Sequence, residues 1–312
     1  MRQIRVLVTG GGGFLGSRLC DRLVEQGAEV ICVDSFISGA KNNVRHLLDK
    51  KNFELIRHDV VEPILLDVDR VYNLACPSSP VFFQKNAVKT VKTNVMGTIN
   101  MLENAAHCKA RLLQASTAEV YGEAREHPQK ESYWGYLNPI GLRACHDEGK
   151  RVAETLVMDY HNQRGVDTRI ARIFNTYGPR LALDDGRVVS TFVMKALKNE
   201  PIYINGDGAQ TRTFCYVDDM VDGIIRLMET ENAVKPVNLG SPVEVTILDL
   251  AKKIIAISGS RSEIVFQPMP ENEIIRRRPD ITRAEQLLGW TPTTDLDAGL
   301  GLVIEDFKSR IK

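Results

Sequence analysis

Residues 8–16 read V-T-G-G-G-G-F-L-G, and this string fixes what the N-terminus of the chain can build. It lies between the apolar run IRVLVT and a helical pattern over 15–26, so Gly10, Gly13 and Gly16 fall three residues apart in a strand–turn–helix unit. Glycines there permit a tight turn, let the backbone approach a pyrophosphate and let the helix pack on its strand. The first N–H groups of that helix, which have no partner inside it, face the anion. The next apolar run ends in VICVD, so Asp34 stands at a strand end where a carboxylate accepts hydrogen bonds from a ribose hydroxyl pair. Dinucleotide binding is the expectation. A 2′-phosphate brought against Asp34 would meet like charge with no arginine immediately following, which favours NAD over NADP. Lys41 is the nearest following cation and reads as a solvated charge at a helix start. The cofactor-binding set expected from this pattern is Gly10, Gly13, Phe14, Leu15, Gly16 and Asp34, with Asp59, one residue past the third strand, placed to reach the adenine edge.

The alternation of strand and helix continues: EVICVD, a helix over 40–48, NFELI, RVYNLA, then helices over 87–106 and 145–164 feeding ARLLQAS and TRIARIF. Strands separated by crossover helices form a parallel sheet, and runs apolar throughout are its buried centre. The expected class is α/β, a Rossmann-type doubly wound sheet of six or seven parallel strands. After Asn175 the texture changes to shorter strands and Gly/Pro-rich loops, which predicts a smaller lobe. Residues 1–174 are thus expected to bind NAD and 175–312 to bind substrate, with segments of the latter returning to the sheet. The amphipathic stretches 188–198, 217–229 and 247–257 look too few to close a core of their own, so this lobe should lean on the sheet.

Forty basic side chains balance forty acidic ones in 312 residues, which removes the electrostatic footprint of a nucleic-acid or anionic-membrane protein. No apolar run reaches the length of a bilayer span and a strand pattern begins by Ile4, so a cytoplasmic location is expected. Six cysteines fall singly within apolar segments, with no CxxC pair, and read as reduced core thiols rather than disulfides or metal ligands.

TGGGGFLG, KTNVMGTINML, STAEVYG, NPIGLRACHDEGKRVAE and RIFNTYGPR together resemble the extended short-chain dehydrogenase/reductase family. YWGYLNPIG, DDGRVVSTF, GAQTRTFCYVDDMVDGI and RRRPDI are similar to its UDP-glucuronate decarboxylase (UDP-xylose synthase) branch, so the resemblance spans nearly the whole chain. It implies a catalytic Thr, a Tyr and a Lys four residues later that handle the C4 hydroxyl proton of a nucleotide sugar while its hydride passes to NAD. Thr117 and Lys150 match; the tyrosine position holds His146. Positions 146 and 150 lie one helical turn apart on one face. The positive charges of Lys150 and of an oxidised nicotinamide are expected to keep this imidazole neutral and able to accept a proton. Against this, the shorter ring reaches the sugar less well than a phenol, and an inert residue in a site that only binds is the further alternative.

The branch usually reads Thr-Ser-Glu where this chain has Thr117, Ala118 and Glu119. The related dehydratases carry Asp-Glu there, and alanine donates nothing, so dehydration is disfavoured. Glu119 is either a catalytic carboxylate or a buried structural partner. The resemblance further implies that Val60, Leu74, Ala75, Asn94 and Lys150 belong to the NAD site and that Asn175, Arg187, Val188, Tyr203, Arg212 and Arg277 hold the nucleotide diphosphate or the sugar acid. Arginine's planar fork suits both anions. Arg277 lies in a run of three arginines, whose alternative is a solvated face, and Asn94 has helix-capping or core duty as its alternative. Implied overall is decarboxylation of UDP-glucuronate to UDP-xylose or a UDP-4-keto-pentose by a homodimer paired through helices 87–106 and 145–164. The alternatives are a UDP-uronate 4-epimerase or C4 dehydrogenase, and a weakened NAD and nucleotide-sugar binding protein.

Overall fold

A computed structural model describes residues 3–270 and 276–311. Strands β1 (Arg5–Thr9), β2 (Glu29–Asp34), β3 (Phe53–Arg57), β4 (Arg70–Asn73), β5 (Arg111–Thr117) and β6 (Thr168–Ile173) are those expected from the apolar runs. A seventh, Val237–Leu239, joins β6 at one edge, giving the order Val237–Leu239, β6, β5, β4, β1, β2, β3. Every pair in this sheet is parallel. The order reverses between β1 and β4, and the crevice outside the strand ends at such a switch point is where ligands bind in this architecture.

Helices α1 (Phe14–Glu25), α2 (Pro80–Lys85), α3 (Ala87–Cys108) and α4 (Ala144–Arg164) belong to the first half. The helix expected over 40–48 is absent; the segment makes two short 3₁₀ turns, Lys41–Asn43 and Arg45–Leu47. Its backbone is drawn to the glycine loop instead, with Ala40 N and Asn43 Nδ2 both donating to Gly12 O, at 3.0 and 2.9 Å. Asparagine side chains that bond backbone in this way compete with helix formation.

Beyond Asn175 lie α5 (Val188–Leu197), α6 (Val217–Glu229), α7 (Ile247–Ser258), α8 (Thr282–Leu288) and α9 (Leu296–Arg310). Of the three stretches expected to lean on the sheet only α6 does so: Met220, Val221, Ile224 and Leu227 pack with Leu19, Leu23 and Tyr72, and α8 joins this core through Ala284 and Leu288. Helices α5, α7 and α9 close a separate core, with Phe192 and Val193 of α5, Leu250 and Ile254 of α7, and Leu300, Val303, Ile304 and Phe307 of α9. The C-terminal α9 supplies the face that the other amphipathic helices lacked, which is why a core forms here after all.

Candidate functional site

One cavity of about 720 Å³ runs from the glycine loop, past the ends of β4 and β5, to the first turn of α5. At its start Gly10 has φ +70°, and a Cβ on Gly16 would stand 2.2 Å from Gly10 O, so neither position tolerates a side chain without moving backbone. Gly13 caps α1 without a side-chain bond, leaving the first amides of the helix unspent where Gly13, Phe14, Leu15 and Gly16 line the cavity. That is an anion cradle with the helix dipole behind it. Asp34 accepts from Gly12 N at 2.9 Å and Phe36 N at 2.7 Å, and still lines the cavity. Burial raises its pKa, against the pull of the two amides. Asp59, Val60, Leu74 and Ala75 complete this wall. Asp59 is ion-paired with Lys89; burial works against its ionised form, yet that bond brings its pKa below the ordinary value. The cradle and carboxylate fit a dinucleotide. Asn94 lies outside the wall, between α3 and α4, where a Cβ on Gly149 would be 2.9 Å from its Nδ2.

Thr117, His146 and Lys150 meet on the same cavity wall. Thr117 ends β5, and its Oγ1 accepts from Glu119 N at 3.3 Å, capping the turn that follows. Lys150, 4 % exposed, donates from Nζ to Ala115 O at 2.8 Å. His146, 3 % exposed, stacks on Phe83 with ring centroids 5.1 Å apart and bonds through Nδ1 to Asp147 Oδ1 at 2.9 Å. The protein groups around His146 work against the neutral imidazole that was expected. Burial and Lys150 both work to lower its pKa, but the hydrogen bonds to Asp147 and Cys76 prevail and raise it to about 9. The adjacent carboxylate was legible in the sequence, but its hydrogen bond to the ring was not.

Cys76, read from the sequence as a core thiol, lies on this wall instead. Burial would raise its pKa; Lys150 and His146 lower it below the ordinary value.

Further along, Glu119 bonds Arg277 and Arg143 at once, the latter through Nη2 to Oε2 at 2.5 Å. Burial opposes ionisation, but the two guanidiniums hold this carboxyl down at about 2. Arg277 is 5 % exposed, so it is not part of a solvated arginine run. Asn175, Arg187, Val188, Tyr203 and Arg212 line the same cavity. Arg187 is fixed by Asp185, from Nη2 to Oδ1 at 2.9 Å, just before α5, and Arg212 donates from Nη1 to Thr211 O at 2.9 Å. No cluster of His, Cys, Asp and Glu among the described residues is arranged to hold a metal ion.

The model of the GDP-mannose 4,6 dehydratase family matches residues 7–302. UDP-glucuronic acid decarboxylase 4 of Arabidopsis thaliana is 56% identical over 310 residues, covering 99% of this chain and 70% of its own. UDP-glucuronic acid decarboxylase 1 of Danio rerio is 52% identical, covering 99% of this chain and 73% of its own. The chain belongs to the UDP-glucuronic acid decarboxylase family. A crystal structure of UDP-glucuronic acid 4-epimerase from Bacillus cereus, in complex with UDP-glucuronic acid and NAD, superposes with a TM-score of 0.88 at 30% identity, covering 98% of this chain and 100% of that one. Within the decarboxylase family fold, Cys76, Arg143, Asp147 and Asp185 are the cavity or supporting residues that sequence reasoning passed over. Arg143 and Asp147 flank the conspicuous His146, and helical spacing brings Arg143 beside Asp147 at 3.6 Å.

Proposed function

We propose that this chain is an NAD-dependent UDP-glucuronate decarboxylase. The observation that carries the reading is a single cavity joining a glycine-lined anion cradle, the Thr117, His146 and Lys150 group, and the buried Arg277. On this reading residues 1–174 hold NAD and 175–312 hold the nucleotide sugar. The glycine loop lets the pyrophosphate approach the first backbone amides of α1, at Phe14, Leu15 and Gly16, and Asp34 takes the ribose. NAD, when bound, supplies the acceptor and donor for the C4 hydride of the sugar. Arg187 and Arg212 hold the diphosphate, with Asn175, Val188 and Tyr203 around the nucleotide, and Arg277 faces the sugar carboxylate.

Once C4 is a ketone it lies β to the C5 carboxylate, so the electrons released with carbon dioxide delocalise onto the C4 oxygen. His146, held as a cation by Asp147, and Lys150 stabilise that developing oxyanion, with Thr117 as a hydroxyl donor. Glu119 is neutralised by two arginines, which suits it to aiming Arg277 rather than taking a proton. Carbon dioxide and UDP-xylose are the products when C4 is reduced again. A second reading, release of the UDP-4-keto-pentose, is favoured by the imidazole at position 146, which is tied to Asp147 instead of reaching the sugar as a phenol would.

Incubation with UDP-glucuronate and NAD, followed by NMR of the nucleotide sugars, tests the reading. A pentose product with released carbon dioxide supports it. A changed hexuronate without carbon loss would instead mean epimerisation or simple oxidation, and binding without conversion would mean a site that has lost turnover. We further propose a homodimer paired through α3 and α4, supported by Val88, Val91 and Val152 exposed on their outer faces. The cytoplasm is the proposed location, supported by six unpaired cysteines. No helix among the described residues is long and apolar enough to cross a membrane.

A further inference from the structure

Arg277 is the middle one of three consecutive arginines, and its side chain is 6% exposed against 54% for Arg276 and 40% for Arg278. The segment is extended: Arg276 bridges to Thr211, Arg278 N donates to Gln129 Oε1 at 2.8 Å, and Gln129 N donates to Arg278 O at 2.9 Å. Successive side chains of an extended chain point to opposite faces. On the inner face Arg277 meets Glu119. On the outer face one carboxylate receives both neighbours. Arg276 Nη2 donates to Glu244 Oε2 at 3.1 Å, and Arg278 Nη1 lies 3.7 Å from the same oxygen. Glu244 is itself fixed, because Thr211 Oγ1 donates to its Oε1 at 2.6 Å and His127 Nε2 lies 3.3 Å from its Oε2. Its strand, Glu244–Thr246, pairs antiparallel with Thr211–Thr213. Burial opposes ionisation, but Arg276, Thr211 and His127 hold the carboxyl down at about 2. Glu244 does not line the cavity.

Three identical side chains in a row leave the register of this segment ambiguous, since a slip of one residue exchanges the two faces and turns Arg276 or Arg278 to the cavity. Gln129 does not resolve it alone. Its bonds go to the backbone N–H and carbonyl of Arg278, which Arg277 would supply equally well. Two carboxylates on opposite faces do resolve it, Glu119 taking one guanidinium inside and Glu244 taking two outside. After a slip in either direction Glu244 would keep a single arginine, because Ile275 or Pro279 would take the other outer position. We propose that Glu244 is a positioning residue: it sets the register of Arg276–Arg278 and thereby presents Arg277 to the sugar carboxylate. This role rests on Arg277 facing that carboxylate, as in the function proposed for the chain.

The test is calorimetric binding of UDP-glucuronate and UDP-glucose, which differ only in the C5 substituent, to the full chain loaded with NADH. That cofactor accepts no hydride, so neither sugar is converted during the titration. Wild type is expected to prefer UDP-glucuronate. Glu244→Gln keeps an acceptor for Thr211 but loses the charge, and it should narrow that preference about fivefold or more, with Glu244→Ala at least as large an effect. The affinity for NADH should stay at the wild-type value in both. In an Arg277→Met background Glu244→Gln should narrow the preference no further, because its effect runs through Arg277. A preference unchanged in Glu244→Gln, an equal loss of affinity for both sugars, or further narrowing in the Arg277→Met background would each overturn the role of Glu244. A wild-type chain with no preference would show instead that Arg277 does not face the carboxylate, and the role of Glu244 falls with it.

Discussion

At position 146 an imidazole occupies the place where the resemblance implies a phenol, and its partner Asp147 gives it a pH dependence of defined sign. The folded-state pKa of about 9 lies above the 6.5 of a free histidine. The stability that His146 contributes is therefore fully present below about pH 6.5 and is lost as pH rises through about 9. Denaturant unfolding of wild type and His146→Phe should differ most near pH 6 and converge above pH 9; a constant difference would contradict a charged imidazole. Replacement by tyrosine is expected to raise turnover of UDP-glucuronate, measured as carbon dioxide release, because a phenol reaches the sugar oxygen and can exchange its proton. Loss of activity in His146→Tyr would show that the imidazole has a dedicated role. Glu119 carries the opposite sign. Its folded pKa of about 2 lies below the ordinary 4.5, so its contribution is present above about pH 4.5 and lost as pH falls towards 2. Glu119→Gln leaves the buried Arg277 without its carboxylate, while Arg143 keeps Asp147, and should cost about 3–5 kcal/mol in urea unfolding. At this scale the cavity-lining types were legible: of the site residues named from the sequence, all but Asn94 line one cavity. What was not legible is which neighbour each charge answers to. That depends on side-chain direction, as in Asp147 turning to the imidazole and Arg143 turning to Glu119.

The strand–turn–helix unit of β1 and α1 is where local sequence and geometry agree most closely. Gly10 needs its positive φ, and Gly16 must pass within contact of Gly10 O, so the loop and the helix are one closure. Gly16→Ala forces backbone apart at 2.2 Å and is expected to cost about 1–3 kcal/mol in thermal or urea unfolding and to weaken NAD binding by calorimetry. An unchanged NAD affinity would remove this loop from the cofactor site. Long periodic helices were readable to within a residue or two, as with α6, because burial of one face and helical period coincide there. Among the elements that were missed or misread, α8 and α9 included, two show why. The Val237–Leu239 strand is three residues long and is made by pairing with β6, a contact distant in sequence. The segment after β2 has the length of a helix, but Asn43 and Ala40 bond Gly12 O and tie it to the glycine loop.

Across the whole molecule two cores meet along α1 and α6, one around the sheet and one closed by α9, and the cavity lies between them. Arg277, from the segment before α8, reaches back to Glu119 after β5, so a contact between distant parts of the chain shapes the sugar end of that cavity. The outer faces of α3 and α4 remain open to solvent. Val88 is 69% exposed and Val91 and Val152 are 40% and 42% exposed, while the inner faces of both helices are buried with the sheet through Met101, Leu102 and Val157. Apolar residues at helical spacing form a face that water solvates poorly, and in the homodimer proposed above a second copy of the same face would be its self-complementary cover under two-fold symmetry. Placing a charge at its centre should therefore act on assembly before it acts on the fold. Val152→Asp is expected to shift the light-scattering mass from twice the 34.9 kDa chain to a single chain, with the far-ultraviolet circular dichroism unchanged. A wild-type chain that is already monomeric at micromolar concentration would refute the pairing through these helices, and a Val152→Asp protein that stays dimeric would move the interface elsewhere.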